Sequence, residues 1–265
     1  MIGAIGRSTR NALIQLGSIY RLLLGMVNEL GDQVSRRRPP LRRRVLFEQT
    51  DRVGIGSIPL VAMVSFFIGL TMALLIGAEL KVYGTERLVP QLIAIAFSRE
   101  LGPLMTGIVL AARIGAAFTA ELGTMTVSEE VEAVEAMGLG PLRFLVAPRL
   151  LAITGLLPCL VVISTLAAVF GSFLVSLYYL NIAPGYFFDL TQEGLRVRDV
   201  LMGIFKSGVF GLIIGLVACY RGLTVKGGAA GVGNATTSSV VTSVTTVIGT
   251  DTLFNILQQA LLPNQ

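Results

Sequence analysis

Charged residues are scarce in this sequence. Only 14% of its 265 residues are charged, against roughly 25% in an average soluble domain. Hydrophobic residues make up 53% of the chain, and its mean hydropathy is +0.76. This composition excludes an intrinsically disordered protein, a disulfide-stapled secreted module and an ordinary cytosolic enzyme.

Histidine and tryptophan are absent, and cysteine occurs only twice. Without histidine the chain lacks the commonest metal ligand and the usual general base. Cys159 and Cys219 both lie inside apolar runs, which favours two buried thiols over a metal site or a disulfide. We therefore expect no catalytic residues and no metal ligands in this chain.

Long apolar runs are present instead, and they predict an all-α polytopic membrane protein. A helix needs about 20 apolar residues to cross a bilayer. The fifth predicted span is the weakest, because it is rich in threonine and serine and contains Asp251. The five predicted spans cover residues 54–79, 90–120, 150–179, 200–220 and 237–262.

Positive charge is concentrated at the N-terminus. Residues 1–52 hold ten arginines and four acids, a net charge of +6, whereas the remainder has a net charge of −1. By the positive-inside rule the N-terminus is cytoplasmic, so that five spans leave the C-terminus outside. Residues 12–30 have helical apolar spacing, which predicts an amphipathic interfacial helix within a basic segment 1–46. The alternative, a sixth span, would leave six clustered arginines outside.

An acidic segment between the second and third spans predicts a short cytoplasmic helix. Thr126 and Glu129 have capping-box spacing, and Gly138 followed by Pro141 marks the end. Glu129 and Glu130 fall in the first turn, where the helix dipole favours them. The segment is either a solvated connector or a helix that docks in a groove of a cytosolic partner. Its apolar stripe consists of Val127, Val131, Val134 and Met137.

The glycine-rich segment 226–234 resembles a phosphate-binding loop only superficially. It lacks the terminal Gly-Lys-Ser/Thr and any strand–loop–helix context. We therefore expect a tight cytoplasmic turn.

Four charged residues fall in the outer half of predicted spans, namely Arg99, Glu100, Lys206 and Asp251. A charge at the bilayer centre costs about 2.5–3.5 kcal/mol, so these side chains should face a partner or a wet cavity. Counting residues from the span ends places Lys206 and Asp251 at depths from which their side chains can meet. They form either internal salt bridges or a polar patch that holds an anionic headgroup. Arg113 lies in the inner half and has a structural role, with Glu121 as a candidate partner.

Seven short motifs occur in order along the chain. They are Ser98-Arg-Glu-Leu-Gly-Pro103, Ala111-Ala-Arg-Ile-Gly-Ala116, Glu121-Leu-Gly-Thr-Met125, Glu135-Ala-Met-Gly138, Pro148-Arg-Leu-Leu151, Ala218-Cys-Tyr-Arg-Gly222 and Gly227-Gly-Ala-Ala-Gly-Val-Gly-Asn-Ala-Thr-Thr237. In this respect the sequence resembles the MlaE (YrbE) permeases, membrane subunits of ABC-type lipid transporters that work with MCE proteins. The resemblance makes residues 47–265 the permease domain. One departure is Asp251-Thr-Leu-Phe254, where family members often have a more aromatic segment.

The resemblance implies a homodimeric permease in the bacterial inner membrane that moves phospholipid between the inner and outer membranes. This chain would bind no cofactor, because a separate cytosolic ABC ATPase dimer binds ATP. That ATPase would dock on the helix at Val127–Met137. A periplasmic ring of MCE-domain subunits and, in some systems, a STAS-domain protein complete the assembly. The positions of the family's lipid cavity correspond to Arg99, Glu100, Lys206 and Asp251.

Two other classes of function remain as alternatives to a permease subunit. A stand-alone secondary transporter or channel could use the buried charges as an ion relay. Inverted repeats would favour it, and five spans show none. An intramembrane enzyme would need a nucleophile–base arrangement, which the sequence does not offer.

Overall fold

The computed structural model describes residues 43–261, with side chains from residue 47 to residue 260. Within that range the regular structure is helical throughout, which confirms the predicted fold class. The amphipathic helix predicted for residues 12–30 lies outside the described residues. Five described segments are long and apolar enough to cross a membrane, as predicted: Phe47–Val82, Glu86–Val127, Leu142–Tyr178, Val197–Leu223 and Gly228–Ala260.

These spans are built from α-helices joined by shorter turns. The α-helices are α1 (Arg43–Val53), α2 (Ile58–Val82), α3 (Val89–Ala96), α4 (Gly102–Leu110), α5 (Ala116–Val127), α6 (Glu130–Ala136), α7 (Ala147–Tyr178), α8 (Pro184–Gly194), α9 (Val197–Leu223) and α10 (Gly228–Leu261). The turns are 3-10 at Ile55–Ser57 and Glu86–Leu88, and π-helical at Phe97–Leu101, Ala111–Gly115 and Leu142–Val146. We call the two ends of the bundle the α6 end and the α8 end.

The start of the fifth span differs most from its prediction, because α10 begins at Gly228 and not near residue 237. The prediction of one turn over residues 226–234 is therefore wrong for most of that segment. The connection between α9 and α10 covers only residues 224–227, and Gly227 and Gly228 at its end have φ of +93° and +67°. Ala229 and Ala230 follow, and alanine is the best helix former.

Two of the π-helical turns have a local cause in proline. Proline has no N–H, so the carbonyl four residues before it loses its helical partner. Pro103 follows the π turn Phe97–Leu101, and Pro148 follows the π turn Leu142–Val146. The second span therefore widens at the point where the sequence places Arg99 and Glu100.

Helix α7 is at the centre of the bundle. It packs against α2 on one side and against α9 on the other, and α9 in turn contacts α5 and α10. The main core contains Phe118, Ile153, Leu157 and Phe210, all fully buried. A second apolar cluster around Phe97 and Phe187 lies at the α8 end.

The contact between α2 and α7 depends on reciprocal glycines. A Cβ atom at Gly69 would lie 2.2 Å from the Ala168 carbonyl oxygen, and one at Gly171 would lie 2.3 Å from the Phe66 carbonyl oxygen. Nearby, the hydroxyls of Ser65 and Ser164 are 2.7 Å apart. Small and hydroxyl residues at such a crossing allow two helices to approach closely in a membrane.

Helix α10 has two different faces. Ser239, Ser243, Val247 and Asp251 follow one another at four-residue spacing and are buried. The hydroxyl of Ser239 lies 2.8 Å from that of Thr119 on α5. Another face of α10 is exposed and mixes hydroxyl with apolar side chains: Thr237, Val241, Thr245, Ile248 and Thr252.

The two cysteines differ in environment. Cys219 is buried and Cys159 is exposed, and neither forms a disulfide. The prediction of two buried thiols is therefore wrong for Cys159. An apolar run in a membrane protein can face lipid as well as the protein core, so the apolar surroundings of Cys159 in sequence did not determine burial.

We expect Gly69→Ala to destabilise the bundle, because the added methyl group meets backbone atoms that cannot rotate away. Overpacking of this kind costs about 1–3 kcal/mol. Gly155→Ala in α7 is the matched control, since nothing lies within 4 Å of a Cβ atom at Gly155. Heat denaturation of the detergent-solubilised protein, followed by circular dichroism, measures both variants. An equal midpoint for the two variants would contradict the close α2–α7 approach.

Candidate functional site

The widened turn of the second span brings charged side chains together with those of α9 and α10. Glu100 lies in the π turn Phe97–Leu101, Lys206 in α9, and Asp251 in α10. Lys206 is nine residues from the start of α9, and Asp251 is ten residues from the end of α10. At 1.5 Å per residue both lie about 14 Å from the α8 end.

Lys206 is the centre of this group. Its Nζ lies 2.7 Å from Glu100 Oε2, 3.0 Å from Asp251 Oδ1 and 2.7 Å from Asn255 Oδ1. An ammonium group has three donors, so all of them are used. Lys206 is 2% exposed and Asp251 is 5% exposed, and this pair is therefore closed to a ligand in this conformation.

Two amide side chains on α10 complete the group. Asn255 donates from Nδ2 to Glu100 Oε1 at 2.6 Å. Gln258, with its amide oriented so that the oxygen accepts, lies 2.9 Å from Arg99 Nη2 and 3.3 Å from Arg99 Nε. We call the six residues Arg99, Glu100, Lys206, Asp251, Asn255 and Gln258 the charge cluster.

The structure thus brings together the four charged residues chosen from the sequence. Glu100 and Asp251 both contact Lys206. Arg99 is connected to this group through Gln258, which lies on α10 together with Asp251. The internal salt bridges that the sequence left as one alternative are present. Sequence reasoning missed Asn255 and Gln258, although their spacing of four and seven residues from Asp251 marks one helix face.

Arg113 and Glu121 do not pair with each other, which corrects the suggested partner. Arg113 donates from Nη1 to the carbonyl oxygen of Gly56, at the turn between α1 and α2. Glu121 forms ion pairs with Arg52 of α1 and, at 3.3 Å, with Arg149 of α7. These contacts tie the second span to the α1–α2 turn near the α6 end.

The short helix after the second span begins later than predicted. Thr126 is no cap, because it lies in the last turn of α5 and its hydroxyl donates to the Leu122 carbonyl at 2.8 Å. The chain reverses instead at Glu129, which has φ of +61°, and α6 begins at Glu130. The end at Gly138 is as predicted, with φ of +73°. The capping box failed because α5 extends through Val127.

The predicted apolar stripe is divided by this geometry. Val134 is buried, and Val131 packs against the buried cluster that includes Leu145 and Leu150. Val127 belongs to α5, and both Val127 and Met137 are exposed, as are Glu129 and Glu130. The exposed apolar surface continues into residues that the sequence did not single out, Leu139 and Phe144.

Comparison with known proteins adds an independent observation. The family model described as Permease MlaE matches residues 46–257. A probable ABC transporter permease protein of Rickettsia typhi is 38% identical over 206 residues, which are 78% of this chain and 80% of that protein. A probable ABC transporter permease protein of Synechocystis is 36% identical over 204 residues, 77% and 78% of the two chains.

A plant protein is also similar to this chain. The chloroplastic protein TRIGALACTOSYLDIACYLGLYCEROL 1 of Arabidopsis thaliana is 37% identical over 201 residues, which cover 76% of this chain and 57% of the plant protein. The matched region of the family model includes the residues from Arg99 to Asn255 and ends one residue before Gln258.

We expect Lys206→Met to destabilise the protein strongly, because it leaves the carboxylates of Glu100 and Asp251 inside the bundle without their cation. Removing one partner of a buried ion pair costs about 3–5 kcal/mol. The triple variant Glu100→Gln, Lys206→Met, Asp251→Asn removes all three charges and should recover most of this loss. Thermal midpoint and folded yield in detergent measure both variants. A Lys206→Met variant as stable as the wild type would show that the ion pairs carry no stability.

Proposed function

Because the chain belongs to the MlaE permease family, we propose that it is the non-catalytic membrane subunit of an ATP-driven transporter of phospholipid. It would move lipid between the inner and outer membranes of a bacterium. The observation that carries this proposal is the charge cluster inside the membrane-spanning bundle. Charged groups at that depth are costly and mark a pathway or a binding site.

The surroundings of the charge cluster support a lipid as the transported molecule. Exposed apolar side chains lie next to it on α9 and α10: Leu201, Phe205, Leu253, Ile256 and Leu257. A phospholipid has a charged headgroup and apolar chains, and this surface offers a match for each. The Arabidopsis relative is itself named after a lipid, which supports the same class of substrate.

A second copy of the chain is the proposed partner of α10. Only 17% of an 18-residue apolar stretch of its span is buried, and its exposed face carries the hydroxyls of Thr237, Thr245 and Thr252. Helices in membranes associate through small and hydroxyl residues, which lipid chains do not match. A homodimer would cover this face and enclose a cavity above the two charge clusters.

The α6 end is the proposed docking site of a cytosolic ABC ATPase dimer. Exposed glutamates lie beside exposed apolar side chains there, with Glu129, Glu130, Met137 and Leu139 within one short segment. A partner groove lined by basic residues would match both features. The arginine-rich residues 1–52 support a cytoplasmic position for this end. The opposite end would then face the periplasm, where an MCE-domain ring would bind, and a STAS-domain protein would accompany the ATPase.

Purification from the native membrane tests the proposed function directly. We expect an ATPase to co-purify with the tagged chain, and the reconstituted complex to transfer labelled phospholipid between vesicles only when ATP is present. Two differently tagged copies should be recovered together. Recovery of a lone protein that conducts ions would overturn the proposal and favour the secondary transporter or channel.

Reversing two charges at the α6 end tests the docking site. We expect Glu129→Lys with Glu130→Lys to reduce the co-purified ATPase at least severalfold, because both side chains would repel a basic groove. Membrane insertion should be unchanged. Asp189→Lys with Glu193→Lys in α8 is the matched control, since both residues are exposed at the opposite end. Undiminished ATPase recovery from the first variant would exclude these glutamates from docking.

A further inference from the structure

The charge cluster has a positive part and a negative part, and we propose that it selects a zwitterionic phospholipid headgroup. Arg99 would bind the phosphate, and Glu100 would bind a primary amine such as that of ethanolamine. This inference rests on the proposed function and names the class of lipid. It starts from the formal charges: two carboxylates share the single ammonium of Lys206, whereas Arg99 is held by a neutral amide.

Access separates the residues that can touch a ligand from those that cannot. Lys206 and Asp251 are buried and satisfy each other. Arg99 and Glu100 are only half-buried, and 29% of the Glu100 side chain is exposed. A headgroup that enters the bundle therefore meets one cation and one carboxylate from adjacent positions of the π turn.

Gln258 is a positioning residue for Arg99. Its carboxamide oxygen accepts from Nη2 and Nε, so two of the five guanidinium N–H donors are used and three remain for a phosphate. Because the amide is neutral, it orients the guanidinium without cancelling its charge. Within the described residues no carboxylate forms an ion pair with Arg99.

Glu100 keeps room for an amine. Its two oxygens accept from Asn255 and Lys206, and each carboxylate oxygen can accept a second hydrogen bond. The contacts of Glu100 and Arg99 lie at Asn255 and Gln258, three residues apart on α10, which is about 4.5 Å along the helix axis. That offset suits a phosphate and an amine joined by two carbons.

An anionic headgroup without an amine fits this arrangement less well. Its phosphate could contact Arg99. However, Glu100 and Asp251 share one ammonium group, so one negative charge would have no cationic partner and would repel the phosphate. Selectivity is the difference between the affinities for the zwitterionic and the anionic headgroup. The exposed apolar residues Leu253 and Ile256 on the same helix favour a headgroup that carries acyl chains over the free headgroup.

Transfer from mixed vesicles tests the selectivity. The complex with its ATPase is given donor vesicles that hold equal amounts of labelled phosphatidylethanolamine and phosphatidylglycerol. We expect the wild type to prefer the ethanolamine lipid by about tenfold, the lower range for one hydrogen bond to a charged group. Glu100→Gln should bring the two lipids close to parity. ATP-dependent transfer without a preference would overturn this inference, whereas no ATP-dependent transfer at all would overturn the proposed function.

Isosteric changes at two glutamines test the role of Gln258. Gln258→Glu places a carboxylate on Arg99, and we expect transfer of both lipids to fall about tenfold, because the phosphate loses a charged partner. Gln192→Glu in α8 makes the same change in charge at an exposed position outside the proposed dimer face and should leave transfer unchanged. Equal losses in the two variants would show a general effect of charge and refute the positioning role. Competition by soluble phosphoethanolamine as strong as by the lipid would overturn the requirement for acyl chains.

Discussion

The bundle depends on one constraint, that a charge inside a membrane must be matched by a partner from the protein. The ammonium of Lys206 meets it with three acceptors from two other elements, the π turn Phe97–Leu101 and α10. These bonds fix the level at which α9, α10 and the second span face one another. Each partner is useful only when the others are in place, so the depths of three helices are set together.

Proline gives the second span the shape that this contact requires. A regular α-helix would turn Arg99 and Glu100 to different sides by about 100°. The missing N–H of Pro103 opens the preceding turn and widens the helix, and from this turn Glu100 and Arg99 contact Asn255 and Gln258 of α10. The position of a backbone defect, set by a single residue, thus decides where the charged pair lies. π-helical turns often occur at functional sites.

The second span also joins the two ends of the molecule. It carries Glu100 near the α8 end and, about 32 Å further along the helix axis at 1.5 Å per residue, Glu121, which holds Arg52 and Arg149 close to α6. One continuous helix therefore connects the charge cluster with the segment proposed for ATPase docking.

Hydrophobic runs in the sequence determined the number of spans and the fold class, because a bilayer needs about 20 apolar residues whatever the packing. Charged residues are rare within the predicted spans, and this singled out Arg99, Glu100, Lys206 and Asp251. Only the tertiary structure decided which charges pair, and so replaced an Arg113–Glu121 pair with contacts to Gly56, Arg52 and Arg149. It also added Asn255 and Gln258. An amide carries no formal charge that would mark it in a sequence, and its role exists only when folding places it against a charged neighbour.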